Sequence, residues 1–367
     1  MNLECARQYA ADLMTRFPRA NDYPFRSWCY AQGFYLWGFI HLYEKTGDPA
    51  LLDYVRGYGE DHVNAAGEIE GFHGDSLDDI MAGSVLVWLF RQTGEEKYRT
   101  AAGRVRRAFD DYPRNPDGGF WHARGLKGEM WVDGLFMGLM FLTRYGQVIG
   151  DREFCYGETV HQLKTVFARC RKDSTGLLYH AYSENGRQEW ASRLTGCSPE
   201  VWSEGLGWYA MMLAEAVAIL PEDVPGREDL TEQLRLLCRD LLKTQDDGCG
   251  LWYQVVDKPG FKKNFHDTSG SAMFTYTLRR AQAMGVIGGE ETDGSVSDGA
   301  FVSRRIALAV RGILSKCVRG LNGTHVLDAC NGLGVQRDYD SYVSFPITVD
   351  AQEAVAAVLW ALVECEA

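Results

Sequence analysis

Six segments of this chain are apolar on nearly every side, and a surface helix built that way would not stay in water. They cover 28–47 (WCYAQGFYLWGFIHLYEKTG), 78–94, 131–150 (WVDGLFMGLMFLTRYGQVIG), 202–220, 268–285 and 349–367, and all are rich in Gly, Ala, Met and aromatic residues. A helix apolar all round must be buried, and helices with one apolar stripe must cover it. Six segments of that second kind lie between the first, at roughly 3–17, 49–63, 97–111, 151–170, 226–244 and 300–318. LTEQLRLLCRDLLKT is the clearest, with apolar residues at 230, 234, 236, 237, 241 and 242, a 3.6-residue period. Strict alternation of the two kinds predicts an all-α fold, an (α/α)6 barrel of six inner and six outer helices. No hydrophilic linker interrupts the pattern, so residues 1–367 are expected to form a single domain.

The connections agree with two rings. Three outer helices follow short turns, KTGDPALL (45–52), QTGEEKYR (92–99) and VIGDREFC (148–155), in which Gly closes one helix and an acidic residue favours the start of the next. The opposite connections are longer: PDGGFWHA (116–123), DSTGLLYHAY (173–182) and DDGCGLWYQVV (246–256). The long loops therefore gather where the inner helices begin, and binding residues usually sit on such loops.

Several function classes are disfavoured. Lys plus Arg number 38 and Asp plus Glu 50, a net charge of −12, which repels a phosphate backbone. No stretch approaches the ~18 apolar residues of a membrane span. The first residues, MNLECARQYAADLMTRF, lack a basic head followed by an apolar run, so a cytoplasmic protein is expected. Ten cysteines are scattered without a CxxC pair, which argues against zinc ribbons and thioredoxin-type chemistry and for free, mostly buried thiols. No dinucleotide-binding glycine motif follows a strand pattern.

Carboxylates cluster at the starts of the inner segments. Asp78 and Asp79 precede the second, Asp133 follows Trp131 in the third, Glu204 lies between Trp202 and Trp208 in the fourth, and Asp267 and Asp350 stand at the fifth and sixth. The ordinary role of such residues is helix capping, contributing ~0.5–2 kcal/mol. Asp133 stands apart, flanked by Trp131, Phe136 and Met137 after a loop carrying His122. In the barrel, Asp78 and Asp133 should face each other at one mouth. Two close carboxylates can share one proton at neutral pH, while the helix dipoles oppose this by favouring the charged forms. An acid and a base beside aromatic walls is the chemistry of sugar-cleaving sites. Trp202 and Trp208 are expected to wall the pocket and stack on sugar rings. His73 is a rim candidate and Lys262–Lys263 a solvated turn. His41 and His161 are expected to be structural, and Met137, Met140, Met211 and Met212 to be core.

The segment GGFWHARGLKGEMWVDGLFMGLMFLTRYG resembles the central motif of the unsaturated rhamnogalacturonyl hydrolases, glycoside hydrolase family 105, which are similar to the unsaturated glucuronyl hydrolases of family 88. LDDIMAGSVLVWLFRQTGEEKY, GLLYHAY, WASRLTGCSPEVWSEGLGW and DTSGSAMFTYTL extend the resemblance, in order, from about residue 70 to 285, while the last 80 residues match poorly. The resemblance implies an enzyme acting on lyase products, oligosaccharides that carry a 4,5-unsaturated uronic acid at the non-reducing end. It implies Asp133 as the general acid/base, Asp78 as its partner, and His122, His180, Trp131, Trp202 and Trp208 as pocket residues, with no metal or organic cofactor. It leaves the oligomeric state open. The chain departs from the family at Glu204, where Arg is usual, and at Tyr182–Ser183, where Trp-Asp is common. An ionised Glu204 is expected to disfavour a second anionic sugar. Two other readings fit the same barrel: a sugar epimerase of the acylglucosamine type using His122 and His180, and a non-catalytic carbohydrate-binding barrel.

Overall fold

In the computed structural model, which describes residues 3–290 and 295–365, outer and inner helices alternate along the chain. The order is outer α1 (Glu4–Arg16) and inner α2 (Tyr30–Thr46), outer α3 (Pro49–His62) and inner α4 (Gly83–Thr93), then outer α5 (Glu96–Arg107) and inner α6 (Val132–Val148). It continues with outer α7 (Arg152–Cys170), inner α8 (Ser203–Ile219), outer α9 (Arg227–Thr244), inner α10 (Thr268–Ala283), outer α11 (Gly299–Ser315), a short α12 (Tyr339–Val343) and inner α13 (Gln352–Cys365). Each inner helix packs on the next, and α13 packs on α2, which closes the ring. The expected (α/α)6 barrel is present. Its core is one connected cluster of buried side chains running from Ala6 to Cys365.

The two helix classes follow from their patterns. Every residue from Ala31 to Ile40 is buried in α2, and so is every residue from Ser203 to Val217 in α8. By contrast α5 buries only Tyr98, Ala101, Ala102 and Val105, one stripe of a helix otherwise carrying Lys and Arg. Gly47 (φ 65°) and Gly94 (φ 71°) end α2 and α4 in the left-handed conformation, and Asp48 caps α3 by accepting from the N–H of Ala50. The long connections are tight hairpins, pinned by bridges such as Arg114 to Phe120 and Arg171 to Leu178.

Strands accompany the helices only as short antiparallel ribbons among the described residues. These pair β1 (Glu129–Trp131) with β2 (Ala181–Ser183), β3 (Cys317–Gly320) with β4 (Gly323–Val326), and β5 (Ala329–Cys330) with β6 (Ile347–Thr348). The first ribbon matters for the site, because it feeds directly into α6.

Some expected helix starts shift. Residues 78–82 form turns, with the N–H of Ile80 bonded to Leu77 and those of Gly83, Ser84 and Val85 bonded three residues back, so α4 begins at Gly83 and Asp78 is not its cap. Asp267 does cap α10, accepting from the N–H of Gly270 at 2.9 Å. Asp350 turns away from the mouth and ties Arg16 (2.7 Å), His325 (2.6 Å) and the N–H of Val326 (2.9 Å) together. Six of the ten cysteines are buried, in line with the expected mostly buried thiols. No helix among the described residues is long and apolar enough to cross a membrane.

Candidate active site

α6 and α8 begin alike. Their N-cap residues are Trp131 and Trp202, whose side chains make no cap bond, so the acidic residues Asp133 and Glu204 fall one position inside the helix. There the carboxylates point into the barrel mouth instead of closing the helix end. The mouth holds a cavity of about 170 Å³, and Asp78, His122, Trp131, Asp133, Trp202, Glu204 and Trp208 all line it, together with Tyr30, Met137 and Gly332–Gly334.

His122 organises this cavity. Its Nε2 lies 3.6 Å from Oδ2 of Asp78 and its Nδ1 lies 4.0 Å from Oδ1 of Asp133, so the two aspartates face opposite nitrogens of one imidazole. Trp131 stacks on the ring at 4.3 Å with an interplanar angle of 13°. Gly134 makes room for it, since a Cβ there would sit 2.3 Å from His122 Nδ1. His180 approaches Asp133 from the other side, its Nε2 3.7 Å from Oδ2, while its Nδ1 is held by the Tyr342 hydroxyl at 2.9 Å. Among the described residues, neither His122 Nδ1 nor His180 Nε2 has a hydrogen-bond partner. The N–H of Gly134 donates to Asp133 Oδ1 at 2.9 Å.

The charges settle accordingly. Burial lowers the proton affinity of His122, but Asp78, then Asp133 and Glu129, outweigh it and raise its pKa to about 9. Burial alone would raise Asp133, yet the nearby imidazole of His180, the charge of His122 and the Gly134 N–H bring it below the usual carboxylate range. With His122 raised and Asp133 lowered, a proton on the imidazole is favoured over one on Asp133, which answers the competition between like charge and helix dipole that the sequence left open.

Glu204 reverses expectation in the opposite sense. It is fully buried, and burial, followed by Glu353 and Asp267, pushes its carboxyl well above the ordinary value against the hydrogen bond donated by Ser269 at 2.7 Å. Glu353 is raised too, by burial first and then by Asp267, although Tyr30 and Gln352 donate to it. Desolvation and like charge oppose the helix dipole that was expected to keep Glu204 ionised, and they favour its protonated form. A protonated Glu204 would repel an anionic sugar less than the ionised one expected from the sequence.

Trp202 and Trp208 border the cavity but are only 1% and 2% exposed. Trp208 is wedged against Phe34 and Phe136, and Trp202 against His180. The broad stacking faces expected of them are spent on the core, and Trp131 is the more open aromatic. His73 is exposed and absent from the cavity wall, as are the exposed Lys262 and Lys263. His161 lies on outer α7, and His41 lies at the opposite end of the barrel. Met140, Met211 and Met212 are core, while Met137 also reaches the cavity floor.

The profile of glycosyl hydrolase family 88 matches residues 5–367. The chain belongs to that family. A solved glycoside hydrolase of family 105 from C. acetobutylicum ATCC 824 superimposes with a TM-score of 0.89 at 29% identity, covering 98% of this chain and 99% of that one. Protein Atu3128 of Agrobacterium fabrum is 34% identical over 235 residues, 62% of this chain and 97% of its own length. The unsaturated rhamnogalacturonyl hydrolase YesR of Bacillus subtilis is 23% identical over 285 residues, 74% of this chain and 78% of its own.

This family 88 site also contains residues that the sequence patterns passed over. Tyr30 and Glu353 come from the first and last inner helices, Tyr342 from α12, and Gly332, Leu333 and Gly334 from the loop after β5. The only sequence signal for that loop is the turn-rich NGLG at 331–334, in a region where the motif resemblance had ended.

Proposed function

We propose that this family 88 chain, read over 1–367 as one catalytic domain, removes a 4,5-unsaturated uronic acid from the non-reducing end of lyase-generated oligosaccharides by hydrating its double bond. The observation that carries the reading is the Asp133 carboxylate, held at the barrel mouth between two imidazoles whose facing nitrogens are otherwise unpartnered. The name of the Bacillus relative points to the same substrate class.

In this reading Asp133 rests ionised and the proton waits on His122. The substrate carboxylate, entering the cavity beside Asp133, raises the proton affinity of Asp133 by like-charge repulsion, and the proton passes from His122 to Asp133. Asp133 then protonates C4, and positive charge develops at C5 and the ring oxygen. Water attacks C5 as the Asp133 carboxylate takes its proton, which returns to His122. The hemiketal opens and releases the remaining sugar. Asp78 keeps the imidazole charged and aligned, and Tyr342 orients His180. No Lys or Arg lines the cavity among the described residues, so neutral Glu204 serves as a hydrogen-bond donor that does not repel the uronate. Trp131 offers the aromatic face, and Trp202 and Trp208 hold the wall in place. Ten cysteines without a CxxC pair, six of them buried, suit a cytoplasmic location.

The epimerase reading would need His122 and His180 on opposite sides of open space, whereas both address one carboxylate. The deciding experiment follows the ultraviolet absorbance of the conjugated double bond on a panel of unsaturated disaccharides with neutral and sulfated partners. Loss of absorbance with release of the second sugar is expected. Folded protein that leaves every absorbance unchanged overturns the proposal, and epimerised sugar without that loss establishes the alternative.

A further inference from the structure

Outside the catalytic cavity, an aspartate, a cysteine and a histidine converge. Asp246 and Cys249 lie in the turn after α9, and His266 in the segment that leads into α10. Oδ2 of Asp246 is 3.3 Å from Nε2 of His266, and Sγ of Cys249 is 3.5 Å from that same nitrogen. The three donor atoms all lie within 4.8 Å of one another, and all three residues are half-buried, within reach of solvent.

Two ordinary explanations fit poorly. A thiol activated by a histidine–aspartate relay would need the carboxylate on one ring nitrogen and the thiol on the other. Here both meet Nε2. An Asp–His ion pair alone gives no reason for the thiol to point at the same place. A tetrahedral metal does. With metal–nitrogen and metal–oxygen bonds of ~2.0–2.2 Å and a metal–sulfur bond of ~2.3 Å, neighbouring ligand atoms stand roughly 3.3–3.6 Å apart. The observed nitrogen–oxygen and nitrogen–sulfur separations fall in that range.

The surroundings are those of fixed ligands. Oδ1 of Asp246 is occupied by the N–H groups of Gly248 (2.8 Å) and Cys249 (3.0 Å), which leaves Oδ2 directed at the histidine. The Tyr253 hydroxyl donates to Oδ2 at 3.2 Å, and the Tyr253 ring packs on the imidazole at 4.2 Å. Groups that orient a ligating carboxylate and imidazole in this way are typical partners of metal ligands.

We propose that Asp246, Cys249 and His266 bind one divalent transition metal, zinc by the class of its ligands, with the fourth corner open to water. Binding displaces the thiol proton and involves no redox change. The consequence is structural. His266 directly precedes Asp267, whose carboxylate accepts from Ser203 (2.6 Å) and from the N–H of Gly270 (2.9 Å), and Ser269 bridges Asp267 to Glu204. A metal would clamp the 246–253 turn to the segment that supports the cavity floor.

The test titrates metal-stripped full-length protein with Co²⁺, which reports a thiolate ligand through a sulfur-to-metal charge-transfer band and four-coordination through intense visible bands. One equivalent should produce both, and Zn²⁺ should displace them. Cys249→Ser should abolish the charge-transfer band, and His266→Gln should weaken Co²⁺ binding at least tenfold. Cys5→Ser, which removes the exposed thiol on α1, should leave the spectrum unchanged. Zn²⁺ should raise the melting temperature of the wild type but not of Cys249→Ser or His266→Gln. The proposal fails if no charge-transfer band forms, if the band survives both ligand substitutions, or if Cys5→Ser removes it. The uronic acid reading stands or falls separately, on the double-bond assay.

Discussion

Nδ1 of His122 lies 4.0 Å from Oδ1 of Asp133, and no described residue hydrogen-bonds that nitrogen. The spacing is too long for a hydrogen bond, so in the unliganded site the imidazolium acts on Asp133 by charge.

The first expectation concerns pH. The His122 pKa is raised from 6.5 to about 9, so the folded state holds a proton that the unfolded chain gives up sooner. The associated stability is fully present below about pH 6.5 and is lost as the pH rises through about 9. Denaturant unfolding of wild type and His122→Gln should show the wild type losing stability relative to the variant across that window, by on the order of 3 kcal/mol at most. The kcat/KM profile of the wild type should carry an alkaline limb that His122→Gln lacks. Parallel pH dependences in the two proteins would mean that His122 is not the proton carrier.

Asp133→Asn preserves shape and removes the base. Its kcat should fall by at least ~10² while substrate still binds, as measured by steady-state kinetics and calorimetry. Asp78→Asn should move the alkaline limb to lower pH, because Asp78 is the largest influence raising the proton affinity of His122. Turnover near the wild-type rate in Asp133→Asn would dismiss the acid/base assignment.

Glu204→Gln tests the neutral carboxyl. A carboxyl whose folded pKa is raised stabilises the fold below its unfolded value and loses that contribution as the pH rises through the folded value. The amide cannot ionise, so Glu204→Gln should match the wild type in stability at acid pH, below the unfolded carboxyl value, and gain on it progressively as the pH rises through neutrality. The ranking of neutral and sulfated substrates should be retained. A marked change in ranking at neutral pH would show that Glu204 is charged.

Trp202 and Trp208 should behave as core. Replacement of either by Ala should cost ~3–5 kcal/mol of stability, read from chemical denaturation, because large cavities are left in a closely packed wall. A strong rise in KM with an unchanged melting temperature would instead restore them as stacking platforms.

The alternation of all-round apolar and one-sided segments was enough to specify the barrel, because burial demand is local and additive along a helix. The same reading found Asp78, His122, Asp133 and Glu204, since an acid beside Trp at the start of a buried helix is visible in the chain. Their protonation was not legible. Whether Glu204 is charged depends on Glu353, which is 149 positions away in sequence and reaches it only when α13 closes the ring beside α10. Likewise the proton on His122 depends on carboxylates contributed by two different inner-helix entrances. Tyr342 and Gly332–Gly334 joined the site from a stretch without periodicity, and their placement follows from the β5–β6 ribbon. Helix identity, then, was determined by the sequence alone, through the spacing of apolar side chains. Charge state and cavity shape were decided by tertiary structure, because electrostatic energies depend on distances and burial that exist only once the ring is closed.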